Sequence, residues 1–178
     1  MASKLTPRVA FLRGVNVGGI NIKMTDLAAV FRDLGFEDVK TVLASGNVLF
    51  SATESNAKLK PRIEQALRER FGYEAWVILV TVEELQRIVE AFPFSEDDAG
   101  KQPYVMFLAD PKALDDLLSV QDQLDASVDR LQPGDGVLYW EVTKGETLNS
   151  VFGKHSAKPK FKALTTTRNM RTLRKLLP

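Results

Sequence analysis

Residues 8–13, Arg-Val-Ala-Phe-Leu-Arg, place four consecutive apolar side chains in a short run and predict a buried β-strand. The elements that follow this strand decide the fold. They are a helical pattern, two short strands around the turn Ser45-Gly46-Asn47, a second helical pattern, and the apolar run Ala75–Val80. The resulting order through residue 81, β-α-β-β-α-β, is that of a ferredoxin-like (split βαβ) unit.

The second half of the chain repeats much of this order. A capping box beginning at Thr81 opens a connecting helix, and Tyr104–Leu108 is a predicted strand. Thr165–Arg168 is predicted to begin a terminal helical segment, so the order is α-β-α-β-β-α-α and the last strand of the unit is missing. The sequence therefore predicts an α/β (α+β) protein of two interlocked ferredoxin-like subdomains, residues 1–81 and 82–178, in one compact unit.

The apolar runs of these strands do not alternate with polar residues. Val9–Leu12, Ala75–Val80 and Val105–Leu108 are apolar throughout, a pattern typical of strands that are covered on both faces. The simplest cover is the other half of the chain. Phe11 would then be unable to stack on a base, and residues 46–50 lack the aromatic pair of an RNA-recognition motif. An RNA-binding sheet face is therefore not expected.

Composition excludes several classes of function. The 178 residues are 44% hydrophobic and 26% charged, which is typical of a soluble globular protein, and they include no cysteine and one histidine. Disulfides, thiolate metal sites, cysteine nucleophiles and multi-histidine sites are thereby excluded. The apolar runs are too short for a signal peptide or a membrane span. We expect a cytoplasmic protein with no metal, no cofactor and no membrane partner; the oligomeric state stays open.

Charge is distributed unevenly along the chain. The net charge is +1, yet residues 154–178 contain eight basic residues and no carboxylate, which leaves 16 basic against 23 acidic residues in residues 1–153. This asymmetry favours a polyanionic partner for the basic end. In the alternative interpretation, the basic end docks on acidic residues of its own chain, such as Glu96–Asp98. His155, among these lysines, is expected at the surface or at a helix end.

The stretch Arg13-Gly-Val-Asn-Val-Gly-Gly19 leaves the first strand and precedes a helix. Glycines in such a loop allow backbone N–H groups to face an anion, and Arg13 and Lys23 would add positive charge. Asn16, Gly18 and Gly19 complete this candidate phosphate site. The alternative is a tight βα turn whose glycines serve packing alone.

Two further stretches carry candidate side chains. A threonine cap and Arg168 at a helix start would suit an anion, although an ordinary N-cap explains the threonine equally well. Ser45 and Asn47 place a hydroxyl and an amide at a turn. In a ferredoxin-like sheet that turn lies near the loop leaving the first strand, so Asn16, Ser45 and Asn47 form a candidate enzyme site.

Three motifs resemble a known family. They are Phe11-Leu-Arg-Gly-Val-Asn-Val-Gly-Gly19 with Ile22-Lys-Met24, then Ala44-Ser-Gly-Asn-Val48, and finally Thr166-Thr-Arg-Asn169. Together they resemble the bacterial family catalogued as domain of unknown function 1697. The resemblance implies a tandem ferredoxin-like fold and no settled activity, and it adds Asn169 to the candidate ligand-binding residues. Met170 stands where the family pattern has tryptophan.

The function best supported by the sequence is a cytoplasmic binding module for a phosphate-bearing small molecule or a nucleic acid, using the glycine-rich loop and the basic C-terminal segment. One alternative is a small-molecule enzyme at Asn16, Ser45 and Asn47. In a third interpretation, all three motifs are purely structural.

Overall fold

A computed structural model describes residues 4–13, 21–43 and 46–178 of the chain. The chain divides into two units, one comprising residues up to 86 together with 175–178, the other residues 87–174. Residues 175–178, predicted to lie in the second subdomain, thus group with the first unit. Among the described residues, no helix has the length and apolarity needed to cross a bilayer. The cytoplasmic location stays a prediction.

The first unit is a four-stranded antiparallel sheet with two helices. Its elements are β1 (Thr6–Arg13), α1 (Met24–Asp33), β2 (Glu37–Val42), β3 (Asn47–Ala52), α2 (Asn56–Phe71) and β4 (Trp76–Thr81). The strand order is β2-β3-β1-β4, as in a split βαβ fold. Both neighbours of β1 run antiparallel to it.

The elements after β4 are α3 (Val82–Glu90), β5 (Lys101–Leu108), α4 (Ala113–Leu118), β6 (Asp129–Pro133), β7 (Val137–Thr143), α5 (Val151–Ser156), β8 (Thr165–Asn169) and α6 (Met170–Leu176). The second unit has a sheet of the same topology as the first, ordered β6-β7-β5-β8. The mixed α/β fold with two ferredoxin-like sheets is therefore confirmed.

The strand predicted to be missing from the second half is present. Thr165–Asn169 form β8, which pairs antiparallel with Leu108–Tyr104 of β5. The expectation of a helix start at Thr165 was therefore wrong. Threonine serves both as an N-cap and as a β-branched strand residue, and pairing with β5 decides between the two roles.

Helix boundaries in the first unit follow from capping residues. The Ser55 hydroxyl accepts a hydrogen bond from the Lys58 N–H at 3.4 Å, so α2 begins before Pro61, which lies inside it. Gly72 ends α2 in the left-handed conformation, at φ +67°.

The core of the first unit lies between its sheet and its two helices. Three phenylalanines form its centre, with the Phe50 ring 5.3 Å from that of Phe31 and 4.8 Å from that of Phe36. Ala10 and Leu12 of β1 belong to this core. Val9 and Phe11, on the other face of β1, are also 0% exposed. Both faces of the strand are therefore buried, as predicted; that the other half provides the cover stays a prediction.

The core of the second unit is organised around a buried carboxylate. Asp129 accepts hydrogen bonds from the Trp140 indole N–H at 2.9 Å and from the Phe152 backbone N–H at 3.2 Å. The rings of Trp140 and Phe152 lie 5.0 Å apart, edge to face. Asp129 thus fixes the start of α5 against the sheet.

Gly153 permits the close approach of α5 to the preceding turn. A Cβ atom there would lie 2.0 Å from the Thr147 carbonyl oxygen. We therefore predict that Gly153→Ala lowers the free energy of unfolding by about 3 kcal/mol, a typical cost of overpacking, measured by urea denaturation. Lys154→Ala, at the exposed next position, serves as the control and should change it by less than about 0.5 kcal/mol. Equal stability of the two variants would show that the turn is not tightly packed.

Candidate functional site

The C-terminal end of β1 lies beside the start of β3. Phe11 is paired with Asn47, and the Leu12 N–H donates to the Gly46 carbonyl oxygen at 2.9 Å. The last residues of β1 and the first residue of β3 therefore lie side by side, as expected from the topology. Arg13, the last residue of β1, is partly buried, and burial lowers the pKa of its guanidinium.

Four of the predicted site residues lie outside the described residues. They are Asn16, Gly18, Gly19 and Ser45. The positions that flank them, Arg13, Lys23 and Asn47, are described.

The start of α1 carries positive charge and lacks a side-chain cap. Lys23 occupies the N-cap position with extended backbone, and its side chain is exposed. Within the described residues, no side chain caps the first turn, so its N–H groups face outward from the helix end. Asp26 in this turn lies 3.7 Å from the Arg70 guanidinium, which partly offsets its negative charge. This end of the helix is suited to hold an anion.

Asn47 has a structural contact. Its side chain is completely buried, and its amide donates to the Val42 carbonyl oxygen at 2.9 Å, closing the β2–β3 turn. An enzyme site that uses this amide would have to give up that hydrogen bond. The described residues therefore favour a turn over a catalytic group at this position.

The Thr-Thr-Arg-Asn motif lies in a strand of the second unit and at the start of α6. Arg168 is 7% exposed and donates to the Thr166 hydroxyl at 2.7 Å and to the Thr167 carbonyl oxygen at 3.0 Å. Asn169 donates to the Gln102 side chain at 3.1 Å and accepts from the Arg171 N–H at 2.9 Å. Arg168 therefore lies in β8 and not in the first turn of a helix as expected.

Several cations of residues 154–178 contact side chains of their own unit. The Arg174 guanidinium binds both oxygens of Glu96, with Nε 2.7 Å from Oε1. Lys160 lies 2.9 Å from Asp116, and Arg171 donates to Gln102. These contacts agree with the interpretation in which the basic segment docks on its own chain, and Glu96 is one of the acidic residues named for it.

His155 lies in the last turn of α5, one of the two expected positions, but it is buried and not at the surface. Its Nε2 lies 2.7 Å from the Asp116 carbonyl oxygen, and its ring meets Phe161 edge to face at 5.4 Å. The reason is helical spacing, since residue 155 lies three positions after buried Phe152 and shares its face. Nδ1 is buried without a hydrogen-bond partner in the described chain.

Arg8 was not recognised from the sequence, although it is the most buried cation of the first unit's described residues. It is 6% exposed and donates to the Asn56 amide oxygen at 2.7 Å and to the Ala52 carbonyl oxygen at 2.6 Å. Burial lowers its pKa, and the charge of Glu84 partly opposes that effect. Its partners are distant in sequence, so the sequence signal is limited to an arginine inside an apolar strand.

A comparison with family models matches residues 5–139 to the family described as "Protein of unknown function (DUF1697)". The chain belongs to the DUF1697 family. This membership confirms the resemblance inferred from the motifs. The description of the family assigns it no activity. Curated proteins give no significant match.

A comparison with solved structures covers nearly the whole chain. A conserved bacterial protein from Streptococcus pneumoniae is similar in structure, with a TM-score of 0.80, 24% identity and 97% coverage of each chain. At this identity the similarity shows the fold alone. A protein of unknown function from Galdieria sulphuraria is 13% identical over 93% of this chain and 98% of that chain, with a TM-score of 0.28.

Metal ligands do not cluster in the part of the chain that the structure describes. Over residues 4–13, 21–43 and 46–178, no group of three or more histidine, aspartate or glutamate side chains is positioned to hold an ion.

The Glu96–Arg174 pair generates a pH prediction. Hydrogen bonding to Arg174 lowers the pKa of Glu96, so the pair stabilises the fold above the ordinary glutamate pKa, and this contribution is lost as the pH falls through the lowered value. Because the pair is partly exposed, Glu96→Gln should lower the free energy of unfolding at pH 7 by only about 0.5 kcal/mol.

Urea denaturation at pH 7 and at about pH 3 measures this difference, which should be smaller at the lower pH. Asp97→Asn, the exposed neighbouring position, is the control. An effect of Glu96→Gln that is the same at both pH values would contradict the assignment.

Proposed function

We propose that the chain is a cytoplasmic binding module for a phosphate-bearing small ligand, held where the loop after β1 meets the start of α1. The observation that carries the proposal is the first turn of α1, which no described side chain caps and which follows the glycine-rich segment between Arg13 and Lys23 in the sequence. The N–H groups of a first helical turn and the positive end of the helix dipole favour a bound anion.

The two flanking cations differ in their surroundings. Arg13 is partly buried at the end of β1, and its lowered pKa reflects a guanidinium that has lost part of its hydration. A phosphate oxygen would accept a charge-assisted hydrogen bond from this guanidinium. Lys23 is exposed and contributes charge at the mouth of the same site.

Glycine content supports the same ligand class. The loop sequence contains Gly14, Gly18 and Gly19, and the absence of side chains at these positions allows an anion to approach the backbone. Asn16 adds an amide donor. The proposal does not use Arg168 or Asn169, whose side chains form the contacts described above in the second unit.

A small ligand is favoured over a nucleic acid by the contacts of the basic segment. Arg174, Lys160 and Arg171 already bind side chains of their own unit, so fewer cations are available for phosphate contacts along a strand. Phe11, on β1, is 0% exposed and inaccessible to a base.

The proposal is tested by titrating the ¹⁵N-labelled chain with adenosine monophosphate and, as the matched ligand without phosphate, adenosine. We expect saturable shifts of the Thr25 and Asp26 amide signals with the monophosphate only. Arg13→Gln and Lys23→Gln should each raise Kd at least about threefold, because each removes one charged contact.

Lys58→Gln is the matched control, since it removes a lysine from the first turn of α2, which Ser55 caps. It should leave Kd unchanged, and each variant must retain dispersed amide signals. Equal shifts with adenosine, or an unchanged Kd in both test variants, would contradict the proposal. A duplex DNA that binds with a log–log salt slope of about −0.9 per phosphate contact, in place of the mononucleotide, would assign a nucleic-acid ligand.

A further inference from the structure

We propose that a second site, the outer-face cleft of the first unit, binds a small amphipathic monoanion: a carboxylate on a short hydrocarbon body. The cleft has a volume of about 470 Å³, within the range of about 300–1,000 Å³ that is usual for small-molecule sites. Strands β1, β2 and β3, the start of α3 and residues 175–178 line it, with Leu49, Val82, Leu176, Leu177, Lys40 and Lys175 among the lining residues.

The strand register places this cleft on the sheet face opposite the helices. Lys40 pairs with Leu49, and Pro7 pairs with Ser51. These side chains alternate with Val48 and Phe50, which point into the core. The cleft is thus separate from the core between the sheet, α1 and α2.

The cleft combines positive charge with an apolar floor. Lys40 and Lys175 are exposed, and neither side chain forms an ion pair within the described residues. Arg8 also borders the cleft, but its guanidinium is bound to Asn56 and to the Ala52 carbonyl oxygen and is not counted among the cations that receive the ligand. The two free ammonium groups can therefore receive an acidic head group while the leucines contact a hydrocarbon body.

Asp38 limits the charge that the site can accept. It lines the cleft in a left-handed conformation, φ +53°, at a bulge where the β2–β3 register shifts between Glu37 and Lys40. A bulge redirects the side chains of its strand, and such strained positions concentrate at binding sites. Because this carboxylate offsets one cation, a single negative charge fits better than a phosphate dianion.

The cleft and the proposed phosphate site lie at opposite ends of β1. Arg8 and Arg13 are five residues apart, which is about 17 Å along a strand. The two proposals are independent and can be tested separately. Octanoate, the probe for the cleft, should shift amide signals of cleft residues, whereas adenosine monophosphate should shift amide signals of α1.

The test is a titration of the full ¹⁵N-labelled chain with octanoate, compared with 1-octanol. Saturable shifts are expected at the Leu49, Ser51 and Val82 amides, with octanol at least about tenfold weaker because it lacks the charge. Lys40→Gln and Lys175→Gln should each raise the octanoate Kd by about 3–10-fold.

Lys58→Gln is again the control, because α2 packs on the other face of the sheet, and it should leave Kd unchanged. The proposal is overturned if octanoate gives no saturable shifts at these amides, if octanol binds equally well, or if neither lysine variant weakens binding. These exposed lysines lie outside the core, so loss of folding is not expected, and dispersed amide signals verify it.

Discussion

The ladder of backbone hydrogen bonds around β1 constrains the whole first unit. Residues 6–11 of β1 are paired with β3 on one side, and residues 8–13 are paired with β4 on the other. Val9, Ala10, Phe11 and Leu12 are at most 1% exposed, so both faces are buried as well. Buried backbone groups need partners, and the two neighbouring strands supply them. The middle of the strand is therefore inaccessible to any ligand.

Both ligand sites that we propose for this unit accordingly lie near the two ends of β1. An arginine stands at each end, and burial lowers the pKa of both Arg8 and Arg13. A cation that has lost hydration is held only where polar groups or a ligand compensate for it. Arg8 is compensated by Asn56 and the Ala52 carbonyl oxygen, and Arg13 directly precedes the glycine-rich segment in the sequence. We have proposed a separate ligand near each of these two ends.

Much of the fold could be predicted from the sequence, because apolar runs and turn residues determine local structure. The unalternating run Val9–Leu12 predicted a strand buried on both faces, and the motifs predicted the family. β8 was missed because threonines fit both a cap and a strand, and only pairing with β5 distinguishes them. The burial of His155 depends on helical phase beside Phe152, which neighbouring lysines obscured.

The candidate sites were less predictable, for a physical reason. A binding site depends on residues that are distant in sequence, such as Lys40 and Lys175, which both line the cleft. Neither the composition of the chain nor the spacing of its motifs shows which distant residues become neighbours in the fold. Conversely, Asn47 is polar at a turn in the sequence, and only its hydrogen bond to the Val42 carbonyl oxygen shows that its amide is already used.

Thiol labelling tests the central claim, that β1 is closed on both faces, most directly. The chain contains no cysteine, so a single introduced thiol reports its own position. Val9→Cys probes the outer face, Ala10→Cys the core face, and Thr53→Cys an exposed reference. The account predicts that both β1 thiols react at least about 100-fold more slowly than the reference, because labelling requires opening of the fold. Reaction of Val9→Cys at the reference rate, with Ala10→Cys still protected, would show an open sheet face and contradict it.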